Sequence, residues 1–323
     1  MMDDGTMTVS IPEFRGLWQY GQGFSADARY VDQCRNVQTR EGVLRPMAAC
    51  QLLPGMLSQP IETLARLHRR WHTADDQHDV LVAASGGQLY WMLPGGESWT
   101  RLELPQGFQG QAYQSNTWSY VTYEMNPEGS DAPVDVLLLS NAKDGMICVR
   151  GDTMTASLVQ TPKKFGVIAR YAERIWGGAI TGDPDLLAYS APFDPFDWSQ
   201  NDDAPEDGAG DVMQPSWDGD SFTALTPFGD QLVALKRTRV WRILGTNPGE
   251  YAFKEQYGGG APFSATVAVD GMRILMLGRQ GVLCYDGESV IPFQQTFAKG
   301  VFARMNKSAL DNAVACMWRN TYY

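Results

Sequence analysis

Short strand-like segments recur along this chain, and corresponding segments return after roughly 40–50 residues. The segments are apolar or alternate between apolar and polar residues, and Gly-rich or polar turns separate them. A hairpin of this kind buries only one face, so it needs neighbouring units to complete a core. The repeat therefore predicts an all-β fold, a β-propeller-like array of four-stranded blades.

Five units follow from this rhythm, and the fourth and fifth, at residues 230–245 and 271–287, are the most alike. Both read as an apolar strand, a short turn and a strand that contains an aromatic residue and is followed by Gly. The strands are predicted at 63–71, 79–84, 88–92 and 99–104; 118–123, 134–139 and 145–149; 165–171, 174–179 and 186–190; 223–228, 231–235, 240–244 and 251–253; and 265–269, 273–277, 282–285 and 290–293.

The two ends of the chain differ from the repeat. Residues 1–58 are predicted to be an irregular, extended N-terminal arm with one hairpin, whose strands at 36–39 and 43–45 flank Glu41 and Gly42. Residues 59–323 are predicted to be the propeller-like domain.

The last units of that domain are irregular. A sixth unit begins near 313–318, but its blade is incomplete, which predicts a truncated chain or a last blade that another segment closes. Just before it, residues 302–312 look helical, with Lys307 and Asp311 one turn apart.

Composition supports a β-rich globular chain. The 33 glycines, 18 prolines and 11% aromatic residues suit tight turns and strands, and 44% hydrophobic residues can build a sizeable core. The formal net charge is −11, so the chain has no excess of cations with which to bind DNA non-specifically. An acidic surface beside a DNA channel would instead repel the duplex and let it slide.

The cysteine pattern argues against a disulfide framework and a standard zinc site, and it suits a reducing cytosol. The cysteines are odd in number, scattered and without a CxxC pair: Cys34, Cys50, Cys148, Cys284 and Cys316. Residues 1–10 have neither the basic nor the apolar region of a signal peptide, and no apolar run has the length of a membrane helix. We therefore expect a soluble protein made in the cytoplasm.

All three histidines, His68, His72 and His78, fall in one stretch. In a helix, His68 and His72 would share a face and could bind a metal. However, no adjacent Glu completes a zincin pattern, and Arg66, Arg69 and Arg70 add positive charge. We predict a solvated strand and loop here, with no metal site.

Residues 201–220 are acidic, rich in Gly and Pro and non-periodic, which predicts a long exposed loop. Carboxylates in such a loop can bind calcium, but the 1-3-5 spacing and the terminal Glu of an EF-hand are absent. The loop is therefore predicted to be solvated rather than a metal site. Its acidic residues considered as ligands are Asp202, Asp203, Glu206, Asp207 and Asp211.

Catalytic motifs are absent from the sequence. There is no P-loop, no GxGxxG after a strand, no GxSxG and no sialidase Asp box, and the sequence alone cannot measure the separation of two glycosidase carboxylates. Trp91, Trp176 and Trp241 lie within strand patterns, which favours blade core over a sugar-binding surface. The prediction is a non-enzyme with no catalytic, cofactor-binding or metal residue and no cofactor.

Four sequence segments, which we call phrases, resemble in the same order segments of β-propeller tail and head–tail-junction proteins of tailed bacteriophages. The arm matches a pattern that precedes the propeller at Asn36, Val37, Gly42, Leu44 and Arg45, although Pro46, Met47 and Ala49 depart from it. Residues 186–199 are similar to the phrase YSxPxDPxxW. Residues 224–253 and 271–287 are similar to two successive blades of the family.

This family of tail nozzle proteins and packaged-DNA stabilisation hubs implies a structural role in the virion tail, after assembly in the host cytoplasm. Such proteins form rings, commonly six-fold, below the portal. The implied partners are copies of the same chain, the portal or adaptor, and other tail proteins. DNA would pass through the channel during ejection without specific binding, and no membrane is involved. Full nozzle proteins are much longer, so this chain is expected to lack platform domains or to be a fragment.

Two alternatives remain on the same fold. One is a receptor-binding propeller at the tail tip that holds host surface glycan with aromatic loops. The other, which we rank last, is a polysaccharide depolymerase.

Overall fold

The fold is all-β, as the sequence predicts, and five four-stranded antiparallel sheets form the blades of a β-propeller. It is seen in a computed structural model that describes residues 16–17, 30–31, 37–40, 43–46, 53–71, 79–126, 132–213, 219–293, 302, 305–318 and 321–323. Among these residues, no helix is long and apolar enough to cross a membrane.

Among the described residues of the arm, four short strands precede the first blade. β1 (Gly16–Leu17) pairs in parallel with β2 (Tyr30–Val31), and β3 (Val37–Arg40) pairs antiparallel with β4 (Val43–Pro46). The β3–β4 pair is the hairpin predicted in the arm, which is confirmed. Its turn residues, Glu41 and Gly42, lie outside the described residues, as does most of the arm.

The blades follow in chain order, and each has its strands side by side in sequence order. Blade 1 consists of β5 (Ile61–His68), β6 (Asp79–Ser85), β7 (Gln88–Met92) and β8 (Thr100–Arg101). Blade 2 consists of β9 (Ser119–Met125), β10 (Val134–Asn141), β11 (Gly145–Arg150) and β12 (Ala156–Val159). Blade 3 consists of β13 (Val167–Tyr171), β14 (Arg174–Gly178), β15 (Leu186–Tyr189) and β16 (Gly210–Met213).

The remaining two blades are built in the same way. Blade 4 consists of β17 (Phe222–Phe228), β18 (Gln231–Lys236), β19 (Val240–Leu244) and β20 (Ala252–Gln256). Blade 5 consists of β21 (Ala268–Val269), β22 (Ile274–Gly278), β23 (Gly281–Tyr285) and β24 (Val290–Pro292). After blade 5, β25 (Met317–Trp318) and β26 (Thr321–Tyr322) form a two-stranded hairpin.

Four hydrophobic clusters hold the five blades together, and each lies between two successive blades. Leu67 of blade 1 packs with Leu137 of blade 2, and Val136 of blade 2 packs with Ile175 of blade 3. The next cluster joins Trp176 of blade 3 to residues of blade 4, and the last joins blade 4 to blade 5. The first strand of blade 3, β13, also contacts the first strands β9 and β17 of its neighbours, so the first strands line the axis.

Two predictions about these segments need correction. Residues 201–220 are not all loop, because 210–213 form β16, the outermost strand of blade 3. Likewise, residues 302–312 are not one continuous helix: Phe302 is α-helical, Met305 and Asn306 are not helical, and Lys307–Asn312 form a 3₁₀ helix that the side chain of Asn306 caps. In a 3₁₀ helix, side chains three residues apart lie above one another, so Lys307 and Asp311, which are four apart, do not face each other as expected. The Lys307 ammonium instead lies 5.5 Å from the Phe302 ring centroid.

Two further 3₁₀ helices are Pro248–Glu250 and Ser264–Thr266.

The turn between β23 and β24 shows how single polar residues fix these hairpins. The Asp286 carboxylate accepts hydrogen bonds from the backbone N–H of Glu288 at 3.0 Å and of Ser289 at 2.9 Å. These bonds hold the pKa of Asp286 below its usual value. A lowered folded-state pKa contributes stability that is present above the unfolded pKa of about 3.9 and is lost as the pH falls through the folded-state value.

We therefore expect Asp286→Asn to flatten the acid side of the stability profile, because the amide oxygen accepts the same bonds without titrating. Urea unfolding of both proteins at pH 7 and pH 3 checks this. The wild type should lose more stability than the variant over that interval. Equal losses in the two proteins would contradict the prediction.

Candidate functional site

A groove of about 590 Å³ lies between blades 2 and 3, a volume typical of ligand sites. Its walls come from the end of β9, the β13–β14 turn and the connection after β15, and Arg70 of blade 1 reaches in from the side. We call this the blade 2–3 groove. It is lined by Arg70, by residues 123–126, by Arg170 and Glu173, and by residues 193–196.

Arg70 joins blade 1 to blade 2 at one side of the groove. Asp135 and Glu124 face each other across β10 and β9, where two carboxylates would repel. The Arg70 guanidinium donates to Glu124 at 2.6 Å and to Asp135 at 3.0 and 3.2 Å, and the Arg70 backbone N–H donates to Asp135 at 2.5 Å. Asp135 is only 5% exposed, so this arginine compensates a buried charge.

Arg170 and Tyr123 form the floor between the two blades. The Arg170 guanidinium carbon lies 4.7 Å from the Tyr123 ring centroid, a cation–π contact, and the same guanidinium pairs with Glu173. The Tyr123 hydroxyl donates to the backbone oxygen of Glu173 at 3.3 Å. Burial raises the pKa of Tyr123, although Arg170 partly opposes this effect, so the phenol stays protonated at neutral pH.

The lip of the groove, formed by the turn residues 172–173 and by residues 193–196, has an unusual backbone. Ala172 and Glu173 have φ of 49° and 58° in the two-residue turn between β13 and β14, as a type I′ hairpin requires. Phe193 has φ of 61°, and its N–H donates to the backbone oxygen of Glu173 at 2.8 Å. Its side chain is nevertheless 74% exposed. A large aromatic side chain in this conformation is strained, and such strain concentrates at functional sites.

The segment after β15 is held from beneath by a buried arginine. Arg174 is 1% exposed, and its guanidinium donates to the backbone oxygens of Ser190 at 2.8 Å and Gly208 at 2.6 Å. It also donates to the backbone oxygen of Glu206. At the tip of the loop, the Asp194 carboxylate accepts from the N–H of Phe196 at 2.8 Å. The lip is therefore fixed by hydrogen bonds at its base and at its tip.

The strain at Phe193 leads to a prediction for stability. Replacing an exposed residue by glycine normally costs about 0.5–1 kcal/mol, whereas the left-handed conformation costs a non-glycine residue about 1–2 kcal/mol. We expect Phe193→Gly to stabilise the fold slightly, by up to about 1 kcal/mol. The matched control is Tyr257→Gly. Tyr257 is an aromatic residue that is 81% exposed and does not have a positive φ, so its replacement should lower the free energy of unfolding by about 0.5–1 kcal/mol.

Urea unfolding of the two glycine variants decides this prediction. If Phe193→Gly loses as much stability as Tyr257→Gly, the backbone at Phe193 stores no strain.

The residues considered for metal binding do not converge on the groove. His68 lies on β5, half exposed, with Nδ1 2.8 Å from Asp79, which Arg66 also binds at 2.7 Å. His72 and His78 lie outside the described residues. Asp202, Asp203, Glu206 and Asp207 are exposed, as is Asp211 on β16. Within the described part of the chain, no three His, Cys, Asp or Glu side chains come together as a metal site.

The three tryptophans considered for a sugar-binding surface, and two of the cysteines, behave as core residues. Trp176 and Trp241 are buried, and Trp91 packs half buried against the cluster between blades 1 and 2, as the strand patterns predict. Burial raises the pKa of the Cys148 thiol to about 12 and also raises that of Cys284, so neither is a ready nucleophile. Cys34 and Cys50 lie outside the described residues.

The groove itself was not predicted from the sequence. Its residues are far apart in the chain, and Arg70, Tyr123 and Arg170 belong to no motif. The available signal was the phrase at 186–199, which includes Phe193 and the turn residues Asp194 and Pro195. Chemically, the groove offers an exposed ring, carboxylates and guanidinium groups that are paired with one another. This arrangement suits the binding of a polar or aromatic ligand.

Comparison with known proteins yields structural neighbours only. Neither a family model nor a curated protein matches the chain. BBS1N in complex with ARL6DN has a TM-score of 0.46 at 10% identity, over 79% of this chain and 71% of that one. The α-L-arabinofuranosidase Arb93A from Fusarium graminearum has a TM-score of 0.42 at 10% identity, over 76% and 86% of the two chains.

YCF48 from Cyanidioschyzon merolae has a TM-score of 0.32 at 15% identity, over 65% of this chain and 64% of that one. At such identities the functions of these proteins do not transfer to this chain.

Proposed function

We propose that this chain is a non-enzymatic structural protein of a tailed-phage virion, a ring-forming tail nozzle or head–tail adaptor subunit around the DNA channel. The observation that supports it most is the phrase at residues 186–199. These residues form β15 and the strained lip of the blade 2–3 groove, so the phrase corresponds to a surface element as well as to blade core.

The other two propeller phrases fall on the blades that follow, in the order of the family. Residues 224–253 span blade 4, and residues 271–287 span β22 and β23 of blade 5. Each includes a residue with a specific structural role, since Lys236 is an ion-paired buried lysine and Asp286 fixes the last turn. The three phrases therefore follow one another along the propeller in the order in which the family has them, and this order supports the proposal.

The charge of the chain suits a channel wall. With a formal net charge of −11, a ring of copies would repel DNA phosphates and let the duplex pass without adhesion. Contacts to other copies and to the portal or tail proteins would come from loop surfaces. Phe193 is the natural anchor, because exposed aromatic residues beside arginine are typical of interface hot spots.

Localisation within intact particles tests this proposal. We would image phage particles that contain the chain by cryo-electron microscopy and classify the tails by symmetry. A propeller ring around the axial channel beneath the portal is the expected result. Density for the propeller at the distal tip or on fibres would overturn it.

A second candidate function is glycan binding at the tail tip, and the exposed Phe193 ring beside Glu173 and Asp194 favours it. Sugar sites commonly combine an aromatic surface with hydrogen-bonding groups. The test is a glycan array probed with the wild type, Phe193→Ala and the matched variant Tyr257→Ala. Binding that only Phe193→Ala abolishes would support the glycan site, and no binding by the wild type would reject it.

A further inference from the structure

The segments that lead into the blades share one arrangement. We call the residues between the last strand of one blade and the first strand of the next an incoming link. Between successive blades these links are residues 102–118, 160–166, 214–221 and 257–267, which are 17, 7, 8 and 11 residues long. A propeller needs such a link each time the chain returns from an outermost strand to the axis.

Each incoming link touches the hairpin formed by the second and third strands of the blade it enters. The bonds are Gln114 N–H to Asp144 at 3.0 Å in blade 2, Lys163 to Asp183 at 2.9 Å in blade 3, Thr238 N–H to Asp220 at 3.1 Å in blade 4 and Leu277 N–H to Thr266 Oγ1 at 3.0 Å in blade 5. The contact is therefore a regular feature of the fold.

The segment before blade 1 has the same two properties. Fourteen residues, 47–60, separate β4 from β5, which lies within the range of the other links. The Ser85 hydroxyl, at the end of β6, donates to the backbone oxygen of Gln59 at 2.8 Å. The indole N–H of Trp99 also donates to the backbone oxygen of Gly55 at 2.9 Å. The described part of this segment, residues 53–60, therefore makes the same kind of contact as the incoming links.

The hairpin after blade 5 has the contacts of an inner strand pair. The Tyr322 hydroxyl of β26 donates to the backbone oxygen of Thr266, next to β21, at 2.7 Å, and Ala315 N–H donates to the oxygen of Ala265 at 2.9 Å. Elsewhere the second strand of a blade lies beside the first strand of the preceding blade, as β10 does beside β5, and Thr266 lies two residues before the first strand β21. The β25–β26 hairpin therefore lies against blade 5 as the first half of a next blade would.

Apolar side chains remain exposed on the two end blades. On blade 1, Ile61 and Leu64 are 43% and 46% exposed, while alternate β5 residues are buried against blade 2. On blade 5, Val269 and Ile291 are 37% and 47% exposed. Trp318 of β25 is 47% exposed as well. An isolated two-stranded hairpin is marginally stable, and its unpaired edges favour addition of further strands.

We propose that β25–β26 and β3–β4 pair as the inner and outer halves of a sixth four-stranded blade. In it, β26 and β3 lie side by side, and the blade covers the exposed apolar residues of blades 1 and 5, closing the propeller. The two hairpins supply the four strands, and the link at residues 47–60 supplies the return to blade 1. The inference does not depend on the phage proposal.

Disulfide trapping in the full chain tests the pairing of β26 with β3. Cys34, Cys50 and Cys316 are replaced by serine, and the buried Cys148 and Cys284 are kept. One cysteine is then introduced by Thr321→Cys or Tyr322→Cys, and a second by Gln38→Cys or Thr39→Cys, because opposed strand residues have the separation that a disulfide needs. The matched control pairs Thr321→Cys with Met213→Cys on the exposed edge of blade 3.

Non-reducing peptide mapping should find an intrachain disulfide in at least one of the four combinations and none in the control. A disulfide only between two chains would overturn the proposal, because a second copy would then supply the strands. No disulfide in any combination would overturn it too. Hydrogen exchange on the unmodified chain is the second measurement: residues 37–46 should be protected at least tenfold, and complete exchange within seconds contradicts the sixth blade.

Discussion

Trp176→Ala is expected to lower the free energy of unfolding by about 3–5 kcal/mol. Trp176 is fully buried in the cluster between blades 3 and 4, with ring centroids 5.0 Å from those of Tyr189 and Tyr251. Truncation removes these ring contacts and leaves a cavity that the rigid strands on either side cannot fill. Both neighbouring blades lose packing at once, so the effect is large for one residue.

Urea unfolding monitored by circular dichroism measures this loss. The matched control is Trp71→Ala, because Trp71 is 50% exposed, and it should change stability by less than about 1 kcal/mol. Trp176→Phe adds a finer comparison. The indole N–H has no hydrogen-bond partner among the described residues, so phenylalanine should retain most of the stability. Equal effects of the alanine substitutions at Trp176 and Trp71 would refute the assignment of Trp176 to the core.

Asp185→Ala is also expected to lower the free energy of unfolding by about 3–5 kcal/mol, because it removes the carboxylate that pairs with a buried cation. Lys236 is completely buried, and its ammonium pairs with the Asp185 carboxylate, which is 19% exposed. The ammonium also lies 4.7 Å from the ring centroid of Phe222. With the carboxylate gone, the cation–π contact alone cannot replace the lost hydration of the ammonium.

A double-mutant cycle distinguishes this explanation from simple loss of packing. Lys236→Met removes the charge and keeps much of the volume, so Asp185→Ala/Lys236→Met should be more stable than Asp185→Ala alone. If the double variant is less stable by the sum of the two single losses, the charges are uncoupled and the explanation is wrong.

The blade strands were predictable because buried hairpins leave a clear pattern in the sequence. The second strands of blades 2 to 5, β10, β14, β18 and β22, are buried throughout, so apart from a few polar residues they read as apolar runs between turn residues. Hairpin β3–β4 was predicted from two short strand-like segments that flank a plausible turn. These elements are specified by local composition, which a single sequence contains.

The outermost strands of blades 2 and 3 were not predictable in the same way. β12 and β16 are each four residues long, and most of their residues are exposed or half buried. β16 also follows an acidic, Gly-rich stretch that reads as loop. Such strands form because the neighbouring strand offers a free edge, which is tertiary information. The helix at Lys307–Asn312 was misjudged because its periodicity does not distinguish a 3₁₀ helix from an α-helix over six residues.

The groove was hidden for a related reason. Arg70, Tyr123 and Arg170 come from three different blades, and only the packing of those blades brings them together. The left-handed conformation of Phe193 has no sequence signal either, because glycine or asparagine would be expected there. The fold could therefore be predicted from the sequence repeat, whereas the groove depends on how the blades pack against one another.

Every described core in this propeller is shared by two successive blades, which has a consequence for how such chains can change length. Duplicating one whole blade adds four strands and one complete shared core, and it leaves the existing cores intact. Duplicating a single hairpin would instead create an apolar face without a neighbour. The smallest insertion that brings a complete core of its own is therefore one blade, roughly 40–50 residues long.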